Sequence, residues 1–145
     1  MAFTQPCFIR KNTTELRKKL EELGYKYSTF DDLRLDGIIT FPDRNHYSVW
    51  AEYHFNGKHT LKSWIDCGDN EELFFALSAL RDDTNENQWF IAQRTMWDEN
   101  YNGEITVYYE EGEWLLWNYY TFMEDMPSDF RKATVEEIIE HFKDR

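Results

Sequence analysis

This chain carries only two cysteines and six glycines in 145 residues, and it has no long apolar run. Cys7 and Cys67 could form one disulfide, but in a chain without an export signal they are expected as free thiols of a reducing compartment. The few glycines make no phosphate-binding pattern, and neither a P-loop nor a nucleophile elbow is present. Leu73 to Leu80, the longest apolar run, is interrupted by Ser78 and falls far short of the roughly 20 residues that span a bilayer. The first twenty residues hold Arg10, Lys11, Arg17, Lys18 and Lys19 among polar neighbours, with no apolar centre of a secretory signal. No low-complexity linker divides the sequence. The expectation is one cytoplasmic domain, residues 1–145, with no membrane contact and no cofactor.

Aromatic residues, in contrast, make up 18% of the chain while the mean hydropathy is -0.77. Large rings must therefore supply much of the burial, and some are expected at the surface. Charge is unevenly placed. Residues 1–65 carry ten Lys/Arg and eight Asp/Glu, a balance of +2, whereas residues 66–145 carry six and twenty, a balance of -14. That second half should repel nucleic-acid phosphates and either attract a basic partner or keep an aromatic-rich protein in solution.

Local patterns give the elements. CFIR at residues 7–10 predicts a strand, followed by a helix whose Leu16, Leu20 and Leu23 share a face, capped by Asn12 or Thr13 and ended by Gly24. Residues 25–28 predict a second strand. GIITF, HYSVWAEYHF and KHTLKSWI read as β, the last two joined by Asn56-Gly57, a strong hairpin signal. Along HYSVWAEYHF, Tyr47, Val49, Ala51, Tyr53 and Phe55 form the expected core face, opposite Ser48, Trp50, Glu52 and His54. A central helix follows with Leu73, Ala76, Leu77 and Leu80 on one face, widened by Phe74, and Asp69 with Glu72 as its capping box. QWFIAQR predicts a strand buried on both faces at its centre. Asn102-Gly103 precedes the strand EITVYY, which EEGE is expected to join to WLLWNYYTF as a hairpin. Thr134 and Glu137 open a terminal helix bearing Val135, Ile138, Ile139 and Phe142. The fold class is α+β, with a mixed, mainly antiparallel sheet and about three helices. Two stretches, starting at Phe8 and at Trp64, each run strand, capped helix, strand as βαβ-like units.

CFIRKNTTELRKKLEELGY, IDCGDNEELFFALSALRDDTNENQWF and KATVEEIIEHFK together resemble blocks in small uncharacterised proteins of gut Bacteroidales and their phages. No activity accompanies the resemblance, which covers the three helices. It implies a mobile-element or accessory gene product acting inside a bacterial cell, such as a modulator of a host or phage factor.

Few residues suggest chemistry. Cys67 precedes a helix N-terminus, where backbone amides can favour a thiolate. Asp66 and Asp69 oppose that, and none of His46, His54, His59 and His141 sits in a diagnostic pattern, so a small buried cysteine is the expected role. Asp66, Asp69, Asn70, Glu71 and Glu72 lack the spacing of a calcium loop, and two isolated cysteines do not make a zinc site. Paired acids are plentiful, but abundance does not establish a cleft. The remaining signal is aromatic. Trp114, Trp117, Tyr119 and Tyr108, rimmed by Glu110, Glu111 and Glu113, form the predicted partner-binding surface of a non-enzymatic acidic interaction module. The alternative is a small-molecule-binding or hydrolytic domain with a pocket between the sheet and the central helix.

Overall fold

The computed structural model describes residues 3–28, 37–50, 64–117 and 129–143. The fold is α+β with mainly antiparallel pairing, and the chain divides into two compact units. Unit 1 comprises residues 1–84 and 135–145, and unit 2, residues 85–134, is inserted between them.

In unit 1 the elements are β1 (Cys7–Ile9), α1 (Thr14–Leu23), β2 (Lys26–Tyr27), β3 (Gly37–Phe41), a 3-10 turn (Pro42–Arg44), β4 (His46–Trp50), β5 (Ile65–Asp66), α2 (Glu71–Ser78) and, after the insertion, α3 (Val135–Phe142). The sheet order is β2-β4-β3-β1-β5. Only β3 runs against the other four strands, because β1 and β4 both pair with it antiparallel while β5 and β2 join them in parallel. β1, α1 and β2 therefore form a βαβ crossover whose two strands are separated by β3 and β4. The second predicted unit behaves differently: α2 leads to a strand of the other sheet, so its two flanking strands do not share one.

Thr13 caps α1, accepting the Leu16 N–H at 3.1 Å, and Gly24 ends it in the left-handed region at φ 119°, where a β-carbon is disfavoured. Leu16 and Leu20 are fully buried. The cap of α2 is Asn70, one residue beyond the predicted Asp69. Gly68 and Asp69 are used by a turn in which the Asn70 N–H bonds Cys67 O at 2.9 Å, so the helix begins a residue later. Asn70 Oδ1 accepts from Leu73 N–H at 3.1 Å while Nδ2 donates to Phe142 O at 2.7 Å, at the far end of α3. A carboxylate at this cap could not make the second bond.

Both faces of β4 are buried through Trp50. Tyr47 and Val49 lie on the face occupied by α1 and α2, as Tyr47 shows by bonding Glu21 of α1 at 2.9 Å. Trp50, predicted to oppose the core, lies in a second cluster with Phe8 and Ile39, flanked by Phe41 and Trp64, and Ser48, predicted to do the same, is fully buried. The remaining predicted core positions of this segment, Ala51, Tyr53 and Phe55, and the Asn56-Gly57 turn lie outside the described residues.

Unit 2 contains β6 (Trp89–Ala92), β7 (Met96–Glu99), β8 (Ile105–Tyr109), β9 (Trp114–Leu116) and β10 (Phe130–Lys132). β6 is the central strand of β10-β6-β9, while β7 and β8 pair only with each other among the described residues. EITVYY thus pairs with MWDE across Tyr101–Gly103, and WLL pairs with β6, in place of the predicted hairpin across EEGE. The Glu113 N–H bonds Glu110 O at 3.0 Å, making a turn, and Ala92 exchanges bonds with Gly112 and Glu113. That exchange takes the chain onto β6.

Candidate interaction surface

The thiols were the sharpest chemical candidates, and both are buried and free. Cys7 Sγ lies 3.3 Å from Ser78 Oγ and 3.7 Å from Thr40 Oγ1. Burial opposes its ionisation, but the neighbouring Cys67 thiol and hydrogen bonds with the Ser78 and Thr40 hydroxyls bring it below the usual thiol range. The neighbouring Cys7 sulfur, burial and the nearby Asp66 push Cys67 far above that range, and its thiol lies 3.9 Å from Ile65 O. A protonated, enclosed thiol is a poor nucleophile. Between β1 and α2, part of the interface of sheet and central helix where the alternative reading expected a pocket, Tyr25 also donates to Ser78 O at 2.8 Å. His54 and His59 lie outside the described residues.

The acids near Cys67 are committed to local structure. Asp66 forms a forked ion pair with Arg10, 2.9 Å at its shortest, and accepts the Gly68 N–H at 2.8 Å. Glu71 pairs with Lys11 at 2.6 Å. Among the described residues no three His, Cys, Asp or Glu side chains converge as metal ligands, and no described helix is long and apolar enough to cross a membrane.

Among the described residues, the exposed large apolar side chains lie mostly on the β7–β8 hairpin. Trp97 is 54% exposed, Ile105 62%, Val107 48% and Tyr108 58%, with Tyr101 at 97% on the turn. Trp97 pairs with Val107 and Glu99 with Ile105, so these four side chains share one face, and Asp98 and Thr106 point the other way. Between Met96 and Glu113 the sequence has six acids, Asp98, Glu99, Glu104, Glu110, Glu111 and Glu113, and no Lys or Arg.

The predicted surface residues separate. Tyr108 is exposed on the hairpin, and Glu110, Glu111 and Glu113 are exposed at its end. Trp114 and Trp117 are half-buried instead. Trp114 packs edge-on to Trp89 at 6.2 Å, and Trp117 packs on Phe90 at 6.2 Å, beside Leu115 in a cluster with Ala92 and Phe130. Tyr119 lies outside the described residues. Sequence reasoning missed Trp97, Ile105 and Val107. The available signal was Asn102-Gly103, with MWDE before it and EITVYY after it at hairpin spacing.

The hairpin is rooted at its base. Met96 and Tyr109 pack against the Phe90 cluster, and Tyr109 meets Phe130 edge-on at 5.2 Å. Arg94 grips Asp129 through two hydrogen bonds of 2.7 and 2.9 Å, holding the Asp129 carboxyl below the usual carboxylate range. The turn is built by Asn100, whose side chain accepts N–H bonds from Asn102 and Glu104. Fold and surface together define a class: an α+β protein presenting an acidic, apolar-faced hairpin. Comparison with protein-family models, curated proteins and solved structures found no match.

Proposed function

We propose that the protein is a non-enzymatic interaction module that binds a basic protein partner through the β7–β8 hairpin. The observation that carries this reading is the exposure of Trp97, Ile105 and Val107 on one face of the hairpin within a segment of six acids and no Lys or Arg. Large exposed rings and β-branched side chains lose apolar contact with water when a partner covers them. The acidic surround favours a cationic partner over nucleic-acid phosphates and speeds its encounter. Modulation of a bacterial or phage factor by a mobile-element product is the biological form this binding takes.

The test uses the intact protein and a Trp97→Ser/Val107→Thr variant, with folding checked by circular dichroism. Proteins retained from a bacterial extract by wild type are identified, then titrated as purified components. The expected result is a basic protein bound by wild type and weakened by about 2 kcal/mol or more in the variant, with affinity falling as salt rises. Equal binding by the variant overturns the reading.

A further inference from the structure

We propose that the outer edge of β7 accepts an additional β-strand from that basic partner, an extended segment alternating apolar residues with Lys or Arg. The inference rests on the hairpin docking proposed above and specifies its geometry. The Asn100 N–H bonds Glu104 O at 3.0 Å, which makes 100 and 104 a hydrogen-bonded pair. By antiparallel alternation Asp98 and Thr106 are the next such pair, while Glu99–Ile105 and Trp97–Val107 turn their main-chain groups away from the hairpin. The outward direction of one donor is directly visible: the Glu99 N–H is accepted by the Asp98 carboxylate at 3.0 Å. An incoming carbonyl can take the place of that exposed local contact.

The two edges differ. Between the pairs Met96–Tyr109 and Trp97–Val107, β7 advances one residue and β8 two, so the bulge lies on β8 and interrupts its outer edge. β7 has no bulge, no proline and no lysine, three of the devices that guard natural edges, and no described strand covers it. A third strand would also support a two-stranded ribbon that is marginal by itself. Charge selects the occupant. The cross-strand neighbour of Asp98 should be cationic and that of Trp97, on the opposite face, apolar. A second copy would bring six more acids against the same six, which disfavours self-pairing.

The experiment uses the full chain and three labelled peptides: a short alternating Lys–Val peptide, and two analogues of the same sequence N-methylated at alternate residues, each lacking the ladder donors of one edge. Methylation is placed in both registers, so that one analogue always loses the donors facing β7. Anisotropy gives affinity, amide exchange reports on Trp97 and Glu99, and sedimentation gives the oligomeric state. The expected result is salt-sensitive binding of the parent peptide, slowed exchange at those two amides, and at least about tenfold weaker binding by one methylated analogue. Equal binding by all peptides, lost in the Trp97→Ser/Val107→Thr variant, overturns strand addition and leaves side-chain docking standing. Binding by none overturns both, and a dimer that blocks the edge assigns it to a second copy.

Discussion

The Trp50 indole occupies the space over Gly37 where a side chain would begin. A β-carbon at Gly37 would lie 2.6 Å from Trp50 Cζ2 and 2.6 Å from the carbonyl oxygen of Ile9. Gly37 pairs with Trp50 across β3 and β4, and the ring continues to Phe8, edge-on at 5.7 Å. Gly37→Ala should therefore destabilise unit 1 by about 1–3 kcal/mol, the usual range for overpacking. In a Trp50→Leu background the added methyl should cost less, although Ile9 O still opposes it. A urea double-mutant cycle measures the difference, and full additivity would refute the contact.

Asn70 joins two helices, so its substitutions should separate into two effects. Asn70→Ala loses both the α2 cap and the bond to Phe142 O, with an expected cost of about 2 kcal/mol. Asn70→Asp keeps the cap but sets a carboxylate against that carbonyl, and it should remain less stable than wild type. Chemical denaturation of the two variants supplies the comparison; an Asp variant as stable as wild type would contradict the role of the α3 contact.

Alkaline pH should weaken unit 1 through Tyr25. Burial, then the Cys7 sulfur nearby, raise its phenol above the ordinary range, and its ring stacks on Phe3 at 4.1 Å. In the unfolded chain the phenol ionises near pH ~10, while in the fold it keeps its proton. The unfolded state therefore binds fewer protons above that pH, and stability falls as pH rises. Stability measured from neutral pH to pH ~11 should decline less steeply for Tyr25→Phe than for wild type.

Both thiols should resist reagents in the folded protein. Dithionitrobenzoate is expected to react with Cys7 and Cys67 only at the rate of unfolding, and rapidly in urea. Fast reaction of either thiol in the native state would return Cys67 to consideration as a nucleophile.

Much of the local structure was legible in the sequence. Thr13, Gly24 and the leucine spacing marked α1 because capping and helical periodicity act within a few residues. The central strand WFIA and the terminal helix were similarly readable. Strand partnership was not: EITVYY had acceptable neighbours on either side, MWDE and WLLW, and only the packing of Leu115 and Trp117 on Phe90 assigns WLLW to β6. Asn70 replaced Asp69 as the cap because a local turn closed on Cys67 O takes up Gly68 and Asp69, whereas the bond that Asn70 also makes to Phe142 O joins residues distant in the chain.

The sequence by itself determined the helix positions, the α+β class, the Asn102-Gly103 turn and the concentration of acids in the second half. Each depends on neighbours close in the chain or on composition. Tertiary structure alone decided that Trp50 is buried over Gly37, that Trp114 and Trp117 are taken up by sheet packing, and that Trp97, Ile105 and Val107 are left facing water. Ring burial depends on which distant strand lies opposite, and alternation can divide side chains between two faces without saying which face will be covered.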